Sequence, residues 1–139
     1  MPVEFDHERL KAYQRALQFA AWVGTIIEQL PNKLTAKDQL DRASTSVVLN
    51  LAEGNGKRSY PDRCRYFDLA RGSAVESAAC LDVLIARKIL SPTVASEGKI
   101  ILHEVVSMTA GLVARFSTQG LVQEDQMPYG AEITPLEND

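Results

Sequence analysis

Apolar residues recur every three or four positions along most of the chain, a spacing that aligns side chains on one face of an α-helix. The first apolar stripe consists of Leu10, Tyr13, Leu17, Ala20, Val23, Ile27 and Leu30. Pro31 follows directly, and proline cannot continue a helix because it lacks a backbone N–H. The pattern therefore predicts a first amphipathic helix that ends before Pro31.

A second and a third stripe follow, separated by a short polar connection. The second consists of Leu40, Ala43, Val47, Leu51 and Gly54. Gly54 and Gly56 supply the stop signals at its end. Ser59 then suits the N-cap of a third helix, with Pro61 in its first turn. The third stripe consists of Phe67, Ala70, Ala74, Ala78, Leu81 and Ile85.

A fourth stripe begins after another pair of candidate caps, Ser91 and Thr93, either of which can start a helix. It consists of Ile101, Val105, Met108, Leu112 and Phe116. Gly120 is predicted to end this helix, since glycine is a poor helix former. No segment has the alternation typical of a strand.

Four amphipathic helices with short connections predict an all-α fold, most simply an antiparallel up-and-down four-helix bundle. We assign residues 1–118 to the bundle. Residues 119–139 form a separate acidic segment with Pro128, Gly130 and Pro135, and we expect a mobile C-terminal tail there.

The length of 139 residues favours a single domain. The longest run without a charge, Ala16–Ile27, is shorter than the roughly 20 apolar residues that a membrane span needs. The start of the chain carries Glu4, Asp6 and Glu8 where an export signal would be basic and then apolar, so we expect a cytoplasmic protein. Cys64 and Cys80 fall on one predicted helix, about 24 Å apart, and are expected to be reduced thiols.

Charge is distributed unevenly along the chain. The formal net charge is −3, yet the acidic segment carries no Lys or Arg, and the most basic stretch surrounds the start of the third helix. Its candidate nucleic-acid contacts are Lys57, Arg58, Arg63 and Arg65. The alternative interpretation is a solvated face or a subunit contact, since the sequence pI of about 5.4 is far below the value above 9 typical of nucleic-acid binders.

Polar residues also occupy the predicted helices at helical spacing. Arg42, Ser46, Asn50 and Glu53 form one stripe on the second helix, and an antiparallel third helix would bring Arg71, Ser73 and Glu76 to the level of Arg42. Glu53 would then lie within reach of Arg58 or Arg65. Such a network would fix helix register or a subunit contact; a ligand-contact face is the alternative. Gly72 and its small neighbours would allow close helix approach, within the chain or between subunits.

Sequence patterns typical of catalysis and metal binding do not emerge. The segment from Gly54 to Ser59 resembles a phosphate loop, but Leu51 stands where that motif requires glycine. Glu4 and His7 have one Glu-x-x-His spacing, whereas carboxylate-bridged metal bundles need two such motifs. No Gly-x-Ser-x-Gly elbow is present. We therefore expect no enzymatic activity, no metal and no cofactor.

Two stretches of the chain carry a family resemblance: residues 42–54, RASTSVVLNLAEG, and residues 67–76, FDLARGSAVE. Both resemble the signature stretches of the four-helix-bundle family named for proteins encoded in 23S rRNA intervening sequences. The segment from Tyr13 to Ala16 and the pair Leu30-Pro31 are similar to the family as well. The resemblance covers roughly residues 5–118.

The resemblance implies a bundle that assembles into a ring, commonly of five subunits, with no established catalytic activity. One relative, the accessory variability protein of diversity-generating retroelements, is a basic ring that binds nucleic acid and a reverse transcriptase. Two hypotheses follow. The first is a non-enzymatic homo-oligomeric scaffold, and the alternative is an accessory protein that binds RNA or DNA through the basic start of the third helix.

Overall fold

The structure, a computed structural model, describes residues 4–125, with side chains described through Ser117. A short 3-10 turn at Asp6–Arg9 leads into four helices. They are α1 (Lys11–Ile27), α2 (Thr35–Gly56), α3 (Tyr60–Ala86) and α4 (Pro92–Asp125). Within residues 4–125 there is no strand, and the predicted all-α fold is confirmed.

Each helix packs against its neighbours in sequence, and α1 and α4 close the arrangement. In the part of the chain that the structure describes, no close backbone approach joins α1 to α3 or α2 to α4. This pattern of contacts is that of an up-and-down four-helix bundle.

Side-chain caps begin the third and fourth helices. Ser59 Oγ accepts a hydrogen bond from the backbone N–H of Asp62 at 3.2 Å. Ser91 Oγ accepts one from the backbone N–H of Val94 at 3.1 Å, so Ser91 and not Thr93 caps α4. These bonds satisfy backbone donors that have no partner within the helix.

The predicted end of α4 at Gly120 is wrong, because the helix continues to Asp125. A glycine inside a helix costs only about 1 kcal/mol relative to alanine, which an established helix tolerates. The predicted tail includes residues 126–139, which lie outside the described part of the chain, so the division at residue 118 stays a prediction.

The core contains residues from all four helices. Its fully buried large side chains include Phe19, Val23, Leu40, Val47, Leu51, Phe67, Leu81, Leu84 and Val105. The predicted stripes of α2 and α3 point inward as expected, while in the α4 stripe Val105 and Phe116 are buried and Ile101, Met108 and Leu112 are half-buried. In α1, however, Leu17 is 44% exposed, and the buried face consists of Ala12, Ala16, Phe19, Val23 and Ile26. Here the rotation of the helix follows from packing against both α2 and α4, where small alanines allow close approach.

Helix α4 contains a long apolar stretch. Between Pro92 and Ser117 it is long and apolar enough to cross a membrane by length and composition, with a mean hydropathy of 1.3 over an 18-residue window. One such helix is a weak indication, since core helices of soluble proteins pass the same test. Leu102, Val105 and Phe116 of α4 are buried in the bundle core, which accounts for its composition.

Gly98 on α4 provides a direct test of this packing. A Cβ added there would lie 2.4 Å from the Trp22 ring of α1, which is too close for two carbon atoms. We expect Gly98→Ala to lower the free energy of unfolding by roughly 1–3 kcal/mol, because the ring has to move out of its site. The matched control is Gly24→Ala, where the added Cβ meets nothing within 4 Å and helix propensity is expected to raise stability. Urea denaturation of both variants checks this; equal midpoints would contradict it.

Candidate interaction surface on α2 and α3

Helices α2 and α3 run antiparallel in a register set by polar contacts. Ser46 Oγ lies 2.9 Å from Ser73 Oγ. Arg42 Nη2 lies 3.7 Å from Glu76 Oε2, one helical turn further along. In an antiparallel pair, residue numbers rise along one helix while they fall along the other. The register that places Ser46 beside Ser73 therefore brings Leu49 of α2 to about the same level as Leu69 of α3.

The centre of this contact is a half-buried polar cluster. Asn50 Nδ2 donates to Ser46 Oγ at 2.9 Å and to the Ser46 carbonyl oxygen at 2.9 Å. The Ser46 hydroxyl also forms a hydrogen bond with the Ser73 hydroxyl across the two helices, and either of them can be the donor. Ser46 therefore meets Ser73 and Arg42 lies near Glu76 across the two helices, whereas Asn50 bonds only to Ser46 on its own helix.

The Arg42–Glu76 ion pair lies at the surface. The two side chains are 69% and 48% exposed, so water screens their attraction. Pairs of this kind contribute about 0–1 kcal/mol. The pair helps to select the register, while the apolar core supplies most of the stability.

Two predicted members of the network, Glu53 and Arg71, are not part of it. Glu53 makes no ion pair with Arg58 or Arg65 among residues 4–117; Arg65 instead lies 3.8 Å from Asp62 on its own helix. The Arg71 side chain is exposed and forms no hydrogen bond or ion pair within those residues. Successive helical residues differ by 100°, so Arg71 and Ser73 lie on different sides of α3 and cannot both face α2.

Gly72 does not bring another helix of the same chain close. It is exposed, and a Cβ placed on it would meet nothing within 4 Å. The interpretation of Gly72 as a site of tight intrachain packing is therefore wrong. The open space leaves the subunit-contact interpretation in place.

The four basic candidates do not form one surface. Lys57 and Arg65 both lie over the ring of Tyr66, at 4.9 and 4.7 Å from its centroid. Arg63 instead donates from Nε to the carbonyl oxygen of Lys57 at 2.8 Å and lies 5.1 Å from the Phe116 ring centroid on α4. Arg58 is exposed and has no charged partner among residues 4–117. Arg63 is thus half-buried and engaged within the fold, and the interpretation of these four residues as nucleic-acid contacts stays a prediction.

Several apolar side chains on the outer surfaces of α2 and α3 are exposed, and sequence reasoning missed them. We define the α2–α3 face as Leu49, Leu69, Gly72, Val75 and Val83. The four side chains larger than glycine are 61%, 49%, 55% and 38% exposed, in that order. On α3 these positions spread over about 120° of the outer side of the helix, with Leu69 and Val75 at the two edges and Gly72 and Val83 between them. The signal in the sequence is a stripe of apolar positions on the outer side of α3. It is easily missed because it runs beside the stripe that forms the core.

Two shallow depressions border this face. One, of about 500 Å³, includes Arg42, Ser46, Leu49 and Asn50 in its lining. The other, of about 250 Å³, includes Glu76, Ala79, Cys80 and Val83. Both depressions are open to solvent, so side chains of another protein surface could fit into them.

The thiol of Cys80 lies under the second depression. Burial and the nearby Glu76 carboxylate raise its pKa, while Arg42 acts in the opposite direction. Cys64 is half-buried, and both cysteines are free. A raised pKa means that less of the reactive thiolate forms at a given pH.

We therefore expect Cys80 to react slowly with iodoacetamide at about pH 8 in the folded protein and rapidly after unfolding in urea. A Cys64→Ser variant leaves Cys80 as the reporter, and mass spectrometry follows the labelling. Raising the pH should accelerate the reaction, since deprotonation is then more complete. Similar rates in the folded and unfolded protein would contradict the burial of this thiol.

The family assignment follows from the extent of the match. Residues 8–111 match the family model described as 23S rRNA-intervening sequence protein, which is more than half of the chain. The chain belongs to this family. The resemblance carried by residues 42–54 and 67–76 is thereby confirmed, and both stretches lie on the α2–α3 pair just described.

A solved structure has the same fold as this member of the 23S rRNA-intervening sequence protein family. It is a crystal structure from Bacteroides thetaiotaomicron, described as a protein with unknown function from the S23 ribosomal protein family. The TM-score is 0.70 at 19% sequence identity, and the alignment covers 73% of this chain and 97% of that chain. At this identity the likeness concerns the fold alone. No curated protein matches the chain.

Metal-ligating side chains are not clustered in the described bundle. Over residues 4–117, no group of three or more His, Cys, Asp or Glu side chains is placed to hold a metal ion. The expectations of no metal, no cofactor, no enzymatic activity and a cytoplasmic location remain predictions.

Proposed function

We propose that this protein is a non-enzymatic scaffold that assembles from several copies of itself through the α2–α3 face. The resemblance to the family adds the finer proposal of a closed ring, with five subunits as the expected number. The observation that carries the proposal is the row of exposed apolar side chains beside the open Gly72.

The composition of the face supports a protein partner. Stable interfaces have an apolar centre with polar groups whose hydrogen bonds are satisfied. Here Leu49 and Leu69 are exposed, while Ser46 and Ser73, one helical turn away from them, already bond to each other. Covering the apolar side chains would therefore remove them from water without leaving these hydroxyls unpaired.

The space at Gly72 supports close approach of a neighbouring subunit. With no side chain there, a partner helix can approach the α3 backbone, which increases the surface buried in contact. Stable interfaces bury roughly 1,200–2,000 Å² in total, and a face that extends from Leu69 to Val83 covers about four turns of α3.

Paired substitutions on exposed apolar residues test the proposal. We expect Leu69→Lys with Val75→Lys to convert the assembly to monomers, because the added charges would have to be buried at the interface. The matched control is Leu17→Lys with Ile100→Lys, on α1 and α4, where the side chains are 44% and 58% exposed. Sedimentation velocity of both double variants and the wild type provides the readout. Loss of assembly in both pairs, or in neither, would count against the α2–α3 face.

The alternative function, an RNA- or DNA-binding accessory protein, has weaker support. Lys57 and Arg65 flank Tyr66, an arrangement compatible with a phosphate or base contact, but Arg63 is engaged with Lys57 and Phe116. Phosphate contacts would make affinity fall steeply between about 50 and 200 mM salt. Salt-sensitive binding of a single-stranded RNA that is lost in Lys57→Gln with Arg65→Gln would favour this alternative over the scaffold.

A further inference from the structure

A groove lies on the other side of the bundle, between the start of α1 and the second half of α4. It has a volume of about 680 Å³. Its floor is apolar, formed by half-buried Leu10, Met108 and Leu112. The groove stays open over Gly111, where an added Cβ would meet nothing within 4 Å.

The rim of this α1–α4 groove is positively charged. Lys11 and Arg115 line it and are exposed, and neither side chain has an ion-pair partner among residues 4–117; Arg115 lies 4.9 Å from the Phe116 ring centroid. The carboxylate in the lining, Glu104, is already paired, with Arg15 Nε 2.7 Å from its Oε2. An apolar floor with a free cationic rim fits an occupant that is both apolar and acidic.

The chain supplies a segment of that composition. Residues 126–139 carry Glu132, Glu137 and Asp139 and no Lys or Arg. The same residues include Met127, Tyr129, Ile133 and Leu136. The charges oppose those of the groove rim, and the apolar side chains match its floor.

The segment is long enough to reach the groove of its own chain. Helix α4 ends at Asp125, ten residues beyond Arg115, so the near end of the groove lies about 15 Å back along the helix. Glu104, near the far end, lies about 32 Å back by the same measure. Fourteen extended residues span about 46 Å, which exceeds both distances.

We propose that residues 126–139 bind in the α1–α4 groove of the same chain. Attachment through α4 gives the segment a high effective concentration at the groove, so weak ion pairs and modest apolar contacts suffice to hold it. An acidic partner would have to displace the segment to reach Lys11 and Arg115. This proposal is independent of self-association through the α2–α3 face.

Methyl NMR of the full-length chain tests the proposal, because Met108 lies in the groove and Met127 lies in the segment. The chain has three methionines, so selective methyl labelling gives few signals, which methionine-to-leucine variants assign. We expect Lys11→Glu with Arg115→Glu to move both methyl resonances by more than a linewidth. Glu132→Lys with Glu137→Lys should do the same, and combining the two pairs should restore the wild-type positions, since the charges are then exchanged.

The controls separate the contact from general charge effects. Lys33→Glu with Lys88→Glu changes two exposed cations in the α1–α2 and α3–α4 connections, away from the groove, and should leave both resonances in place. If circular dichroism shows that Lys11→Glu with Arg115→Glu disturbs the fold, the test rests on Glu132→Lys with Glu137→Lys, which is read from the Met108 resonance. If the substitutions at Glu132 and Glu137 leave the Met108 resonance at its wild-type position, the proposal is overturned. In a Leu69→Lys, Val75→Lys background that removes association through the α2–α3 face, movement of the resonances on dilution would also overturn it, because the occupant would then come from a second copy.

Discussion

Phe67→Ala is expected to lower the free energy of unfolding by about 3–5 kcal/mol, which is a large part of the 5–15 kcal/mol typical of domains. Phe67 is fully buried between α2 and α4. Its ring centroid lies 5.9 Å from that of Phe116, and a methyl group on Gly54 would lie 2.8 Å from its Cε1 atom. Truncation leaves a cavity that these neighbours cannot fill without moving.

The matched control for this prediction is Phe5→Ala. Phe5 is the same residue type but is 67% exposed, so its loss is expected to change stability by less than about 0.5 kcal/mol. Urea denaturation followed by circular dichroism measures both variants. Equal midpoints for the two would contradict the placement of Phe67 at the centre of the bundle.

Gly72→Arg is expected to abolish assembly while leaving the fold intact. The position is exposed and has open space for a side chain, and arginine is a better helix former than glycine by about 0.8 kcal/mol. The monomer should therefore be as stable as the wild type or more stable. At the centre of an interface, however, the guanidinium would occupy the space that a neighbouring subunit needs and would lose its hydration.

Gly24→Arg provides the control for Gly72→Arg. Gly24 is also exposed on a helix with nothing near an added Cβ, and the variant has the same change in net charge. Light scattering after gel filtration gives the molar mass, and thermal unfolding reports the fold. A Gly72→Arg protein with the wild-type mass would show that this part of α3 is not buried between subunits.

Local features of the sequence predicted much of this fold. The caps Ser59 and Ser91 accept hydrogen bonds from backbone groups three residues away, so they can be predicted without knowing the tertiary structure. The error at Leu17 has a different origin. Helical spacing places Leu17 close to the inner face of α1, but which of two adjacent stripes points inward depends on the helices that pack against it.

The interaction surface was only partly predictable. Spacings of four residues correctly align Arg42, Ser46 and Asn50 on one line of α2. The interpretation that grouped Arg71 with Ser73 ignored the 200° between them, which the sequence alone could have supplied. Ion-pair partners were harder to predict from the sequence. Arg65 pairs with Asp62 one turn earlier on its own helix, and Glu53 has no ion-pair partner within residues 4–117. Choices among several exposed charges depend on side-chain geometry that spacing does not specify.

Native mass spectrometry of the wild-type protein, gently purified at full length, tests the central claim of self-assembly most directly. The scaffold account predicts one homo-oligomer without bound nucleic acid, with a mass five times the 15.3 kDa of a single chain. A different closed number of subunits would retain the scaffold and correct the ring size. A monomer at micromolar concentration would contradict the account, and an oligomer that carries RNA or DNA would favour the alternative function.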